Sequence, residues 1–275
     1  MKNISQKEWF SLTAKLNDKY NLDFLYSKFY QYIVGTNETS TEIIFYFDKK
    51  YQHEIEEIII KNKLESFVVK KIKYDNWHKS YEQYFKPINI NDNLMIVPDW
   101  YNIENKSIEH IRIIPGMAFG TGTHETTQLV ITNMIKYMKK NQTVLDLGSG
   151  SGILSIAALK QGASKVVAIE HDYDCEENFL NNMELNNITE NYKLSFIDVL
   201  SMEDYNYDFI LANINKNIIL SLLPRIKKLN KNQSTIILSG LLIIDRDKII
   251  HLIHKLSFTI IEEVQKGEWI CIIIK

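Results

Sequence analysis

The stretch "VLDLGSGSGIL" places Asp146 just ahead of Gly148, Gly150 and Gly152, and Glu170 follows the last of these by 18 residues. Glycines are needed where a backbone takes φ > 0 or must come very close to a ligand, and elsewhere they cost stability. An apolar run, then a glycine turn, then a helical pattern is the first strand-to-helix connection of an open α/β sheet. Such sheets bind ligands beyond the C-terminal ends of their strands. A dinucleotide fingerprint, G-x-G-x-x-G, would put its third glycine at position 153, where the chain has Ile153; the observed G-x-G-x-G spacing argues against NAD. Glu170, ending the second strand of the series, is placed to accept hydrogen bonds from both hydroxyls of a ribose. Asp198 follows the third strand, where it or its neighbouring backbone can meet an adenine amino group, and Asp146 can orient a polar group or the loop itself. Together these residues describe a nucleoside site without phosphates.

A second glycine cluster, "PGMAFGTGTHETT" at 115–127, precedes the first. Six of the 10 glycines in the chain, Gly116, Gly120, Gly122, Gly148, Gly150 and Gly152, lie in these two loops, and that concentration asks for a ligand. Phe119, Gly120, Thr121, Gly122, Thr123 and His124 form the body of an active-site loop whose glycines supply mobility and whose closure would exclude water. Thr123, Thr126 and Thr127 offer hydroxyls, with Thr126 or Thr127 also suited to cap the helix that follows. His124 is a candidate proton acceptor, although a lone histidine beside a helix start is more often structural. Asn213, at the tip of the fourth strand in "ILANI", is either a site residue or a turn-forming asparagine; Asn215 and Asn217 read as turn or cap residues.

The elements that must hold these loops follow from periodicity. Residues 1–75 read as a small α+β domain, with an amphipathic helix from Lys7 to Lys19 and one or two strands in "LDFLYSKFYQYIV". A strand in "TEIIFYF", a helix in "YQHEIEEIIIKNK" and a strand in "SFVVKKIKY" complete it. In "DNWHKSYEQYFKP", Trp77, Tyr81 and Tyr84 form one helical stripe that Pro87 should close, so residues 76–93 read as a linker helix and junction. From position 94 to 275 the pattern becomes two strands, "LMIVPDW" and "IEHIRIIP", and then strands alternating with helices, the signature of a mostly parallel sheet covered on both faces.

Bulk properties narrow the function class. A formal net charge of −2 provides no global basic field for a nucleic-acid backbone. Two cysteines, Cys175 and Cys271, are too few for a disulfide framework and have no metal-ligand spacing, so no metal is expected. The N-terminal "MKNISQKEWF" lacks a signal-peptide pattern and no apolar run approaches a membrane span; a soluble, cytoplasmic protein is expected. Ile, Asn and Lys are used heavily throughout, which reads as genome composition rather than function.

S-adenosylmethionine is a nucleoside without phosphates, and the G-x-G-x-G loop followed by a strand-end acid resembles the class I methyltransferases. The first loop resembles, more narrowly, the ribosomal protein methyltransferases of the PrmA type, which methylate amino groups of the eleventh large-subunit ribosomal protein. The likeness runs through "VLDLGSGSGILSIAALKQGASKVVAIEHD", "ILANI", "LSG" and the terminal "EW", and weakly through the linker. Departures are Glu125 where the family usually has Pro, Ser149 where it often has Cys, Glu170 in place of Asp, and "NIN" for "NIL"; residues 1–75 show no matching motif.

The resemblance implies a Rossmann-like seven-stranded mostly parallel sheet preceded by a small α+β substrate-recognition domain. It also implies cofactor contacts at Thr127, Gly148, Glu170 and Asn213, S-adenosyl-L-homocysteine as product, and a large-subunit ribosomal protein as partner rather than nucleic acid or a membrane. Asn213 would aim the lone pair of the substrate amine. Two alternatives stand beside this reading: the same chemistry on a different protein, and a methyltransferase-fold scaffold without activity.

Overall fold

The structure, a computed structural model, describes residues 9–17, 20, 22–29, 32–33, 35–38, 41–62, 64–65, 67–72, 86–103, 107–115 and 118–275. The chain divides into two compact units, Met1–Tyr84 and Phe85–Lys275. The aromatic stripe of the expected linker helix lies outside the described residues.

In the first unit the elements are β1 (Trp9–Lys15), α1 (Leu22–Phe29), β2 (Gly35–Glu38), β3 (Glu42–Asp48), α2 (Gln52–Lys61) and β4 (Phe67–Ile72). The sheet order β2-β3-β1-β4, all antiparallel, with this β-α-β-β-α-β sequence, is the ferredoxin-like arrangement. Two expectations are corrected here. The Lys7–Lys19 segment holds a strand, not a helix: Phe10, Leu12 and Ala14 are buried while Ser11 and Thr13 are half-buried, a period of two, and the strand sits between β3 and β4. The segment expected to be strand at "LDFLYSKF" is helix α1, because Leu25 and Phe29, four apart, reach one core with Phe45 and Ile55.

The second unit opens with β5 (Ile88–Asn91), β6 (Leu94–Pro98) and β7 (Glu109–Ile113), a three-stranded sheet in which β6 and β7 are parallel. Next come α3 (Glu125–Tyr137), β8 (Thr143–Leu147), α4 (Ile153–Lys160), β9 (Lys165–Glu170), α5 (Glu176–Leu185), β10 (Tyr192–Phe196), β11 (Phe209–Asn213), α6 (Lys216–Leu229), β12 (Thr235–Leu242), α7 (Arg246–Lys255), β13 (Ile260–Lys266) and β14 (Trp269–Ile274). The main sheet has the order β10-β9-β8-β11-β12-β14-β13, with β14 antiparallel to both neighbours and the other ladders parallel. This is the expected seven-stranded, mostly parallel sheet.

Strand alternation builds two cores. Val144, Ala168, Leu211 and Ile273 face α3, α4 and α5 on one side; Leu145, Leu147, Ala212 and Leu238 face α6 and α7 on the other. From β8 the order runs outward both ways, to β9 and β10 on one side and to β11 and β12 on the other. The switch point therefore lies between β8 and β11, directly under the second glycine loop.

Candidate active site

At the switch point the β8–β11 ladder ends with Leu147 opposite Ala212, which brings Gly148 and Asn213 to the same crest. Asp146, fully buried two residues earlier in β8, accepts a hydrogen bond at Oδ2 from Ser155 Oγ of α4 at 2.6 Å. Glu170 curls over the loop: one carboxylate oxygen accepts from Gly150 N at 2.8 Å, and the other from His171 N at 2.7 Å and Asp172 N at 3.0 Å. Asp198 is exposed and accepts from Leu200 N at 2.8 Å, so its side chain fixes its own turn and no hydrogen bond ties it to the glycine loop.

The glycines also answer to protein neighbours and to positive φ. Gly148, Gly150 and Gly152 have φ of +76°, +49° and +82°. A Cβ would stand 2.5 Å from Ile214 Cγ2, 2.4 Å from the Phe119 carbonyl oxygen and 2.8 Å from Phe179 Cδ2, respectively. The first loop is thus seated on the second: Ser151 N donates to Phe119 O at 2.9 Å, and Ser151 Oγ to Gly120 O at 2.6 Å. Gly240, in the "LSG" of β12, has φ +78° and leaves space for the Ile214 carbonyl, 2.5 Å from where its Cβ would be.

Along the first loop, Thr121 and Thr123 share a hydroxyl contact of 3.0 Å, and the Gln128 side chain donates to the carbonyls of Gly122 and Thr123. The cap of α3 is His124, not Thr126 or Thr127: its Nδ1 accepts from Thr126 N at 3.3 Å and contacts Thr126 Oγ1 at 2.8 Å. Its ring lies edge-on to Trp269, centroids 4.7 Å apart, and to Phe119 at 5.4 Å. Trp269 reaches this end because β14 runs against the other strands and begins where they finish. Phe119 itself is 55% exposed, apolar surface on the rim of the site. Asn215 caps α6 by accepting from Ile218 N at 3.2 Å, as read from the sequence.

Four buried side-chain oxygens, Thr127 Oγ1, Asp146 Oδ1, Ser149 Oγ and Asn213 Oδ1, have no hydrogen-bond partner among the described residues. A buried polar atom without a partner costs about 1–3 kcal/mol, and native proteins leave few of them. Two are hydroxyls that can donate and two are acceptors, a set suited to an amino-acid zwitterion, whose carboxylate needs donors and whose ammonium needs acceptors. The chemistry of the donor set therefore fits the amino-acid end of S-adenosylmethionine, and the acid at the tip of β9 fits a ribose.

A family model described as "Ribosomal protein L11 methyltransferase (PrmA)" matches residues 8–275. The chain belongs to the ribosomal protein L11 methyltransferase family. A family member from Prochlorococcus marinus is 31% identical over 297 residues, 98% of this chain and 97% of its own length. One from Ruminiclostridium cellulolyticum is 38% identical over 73% of this chain, a match that spans 65% of that relative. The crystal structure of a ribosomal protein L11 methylase from Lactobacillus delbrueckii subsp. bulgaricus superposes with a TM-score of 0.64 at 36% identity, covering 70% of this chain and 98% of that one. The family is one of protein methyltransferases, and this member has their class I fold.

Burial, the largest influence, pushes the Asp146 carboxyl from its ordinary 3.8 up to about 7; the charge of Glu170 adds to the rise and the Ser155 hydrogen bond opposes it. The folded state then holds a proton that the unfolded chain releases, so the contribution of Asp146 to stability is greatest below pH 4, falls as pH rises, and levels off above pH 7. The range amounts to an order of magnitude of about 4 kcal/mol. The expected result is that Asp146→Asn, which cannot ionise, melts higher than the parent at pH 8, with the difference closing toward pH 4; thermal melts of both proteins across that range check it.

Proposed function

We propose that the protein transfers methyl groups from S-adenosylmethionine to amino groups of ribosomal protein L11, releasing S-adenosylhomocysteine, in the cytoplasm. The observation that carries this reading is the group of unpartnered oxygens on Thr127, Asp146, Ser149 and Asn213 beside a glycine loop, in a chain of this family. When bound, the cofactor supplies a methyl carbon on sulfonium for in-line attack by a neutral amine.

Each residue then has a task. Thr127 and Ser149 offer hydroxyls to the cofactor's carboxylate, Asp146 its free oxygen to the ammonium, and Glu170 its remaining lone pairs to the ribose. Gly148, Gly150 and Gly152 keep the loop close against Ile214, Phe119 and Phe179 respectively, and the turn held by Asp198 meets the adenine edge. Phe119, Gly120, Thr121, Gly122, Thr123 and His124 cover the reacting centre and exclude water. A lysine side chain begins near pKa 10.4 and a terminal amine near 8, both about, so covering also favours the neutral amine by desolvation. Asn213, through its side-chain oxygen and the adjoining backbone, accepts amine hydrogens and aims the lone pair. Alignment of this kind is worth roughly 7–11 kcal/mol at best.

Residues 1–75 serve as the recognition domain and 76–93 as the junction to the catalytic residues 94–275. The ferredoxin-like sheet supports a docking role only by analogy of fold. Intact-mass analysis after incubation with S-adenosylmethionine tests the proposal, with L11 and a whole-cell extract side by side. Steps of one methyl mass on L11 are expected; steps only on another polypeptide would assign the first domain a different target, and no steps at all would leave the scaffold reading.

A further inference from the structure

Helix α5 carries Asn178 and Asn182 and is capped at its C-terminus by Asn186; these three are spaced four apart, and their side chains all turn toward β7 or the segment that follows it. The amide of Asn186 pairs with both backbone groups of Arg112, accepting from its N–H at 2.9 Å and donating to its carbonyl at 2.6 Å. Asn182 accepts from Ile114 N at 2.8 Å, and Asn178 donates to Ile114 O at 3.1 Å. Among the described residues strand β7 pairs with β6 along one edge, and the helix covers the other edge. The geometry allows this because four helical residues rise about 6 Å and two strand residues about 6.6 Å.

Asn182 differs from its neighbours in one respect. Its Nδ2 also donates to the Ser151 carbonyl at 2.9 Å, and the side chain is fully buried. One amide therefore grips Ile114, at the entrance to the first loop, and Ser151, inside the second. Ser151 in turn holds Phe119 and Gly120 through its own N–H and hydroxyl. Asn186 shares the ladder and the burial but touches no loop residue among its hydrogen bonds.

We infer that Asn182 is the positioning residue that locks the two glycine loops into one unit, setting the pocket for the cofactor and the cover over it. An aspartate at 182 keeps the acceptor for Ile114 but places a carboxylate oxygen against the Ser151 carbonyl. It breaks the tie to the second loop and leaves the ladder.

The inference rests on the proposed cofactor site, and two readouts separate their fates. First, hydrogen exchange of the amides at 118–124 in the protein without ligand is compared among the parent, Asn182→Asp, Asn182→Ser and Asn186→Ala. Exchange about tenfold faster in both Asn182 variants, and within twofold of the parent in Asn186→Ala, is expected, and it does not depend on what the site binds. Second, the KM for S-adenosylmethionine is expected to rise about tenfold in the Asn182 variants with kcat changed less than threefold, while Asn186→Ala leaves KM within twofold. Equal effects of Asn182→Asp and Asn186→Ala on exchange would overturn the inference, as would failure of both Asn182 variants to fold, since the residue would then serve the fold alone. Altered exchange without S-adenosylmethionine binding by the parent would sustain the coupling of the loops and sink the cofactor assignment instead.

Discussion

Asn213→Ala is expected to lower kcat for methyl transfer on the order of 100- to 1,000-fold, while affinity for S-adenosylmethionine falls less than about tenfold; losses of that size accompany misplaced reactants and lost site dipoles. The reasoning is geometric. Asn213 ends β11 at the switch point, opposite Ser239 of β12, and its Oδ1 is buried without a partner. A residue kept merely to turn the chain would spend that oxygen on nearby backbone, as Asn215 does two positions later. Removing the amide relieves an unsatisfied group, so the variant should fold at least as stably as the parent. Single-turnover rates and calorimetric cofactor binding measured on one preparation decide the matter. An unchanged rate would make Asn213 a structural residue, and weakened binding with an unchanged rate would make it a cofactor holder.

Gly150→Ala should be the most damaging of the glycine substitutions. At φ +49° an L-residue pays about 1–2 kcal/mol, and the added Cβ would sit 2.4 Å from the Phe119 carbonyl oxygen. That neighbour is backbone, so it cannot rotate away; the first loop must lift. Loss of cofactor affinity on the order of 100-fold, about 2.8 kcal/mol, is expected, together with a lower melting temperature. Gly267→Ala is the control, since Gly267 has φ +58° with nothing within 4 Å of its added Cβ. It should show the backbone cost in the melt and none of the binding loss. Equal binding in both variants would mean that the loops do not depend on one another.

Much of the second unit was legible because its signals are local. Apolar runs such as "TVLDL" and "YDFILAN", each followed by a turn and a helical pattern, leave few alternatives to buried parallel strands. The first domain was harder. Trp9, Leu12 and Leu16 also fall at helical spacing, and only the burial of Phe10, Leu12 and Ala14 between two neighbouring strands settles β1. The aromatics of α1 favour a strand by composition, yet Leu25 and Phe29 meet a core that α1 can reach only as a helix.

At the site, residue types were readable and their partners were not. Gly150 depends on Phe119, 31 positions away, a relation that no window on the sequence contains. The asparagines of α5 looked like the general abundance of that residue in the chain. Their spacing of four was the available signal, and it acquires meaning only when a bare strand edge lies alongside.

The ladder on α5 also behaves as a vernier. Its two scales differ by about 0.6 Å per rung, so the match is good for one step and drifts with each further one. Asn186 takes both groups of Arg112 and Asn182 takes the N–H of Ile114, and Asn178 takes the Ile114 carbonyl. The last rung among the described residues is at Ile114, one position before Pro115. The first glycine loop thus sets out from a point that the helix holds.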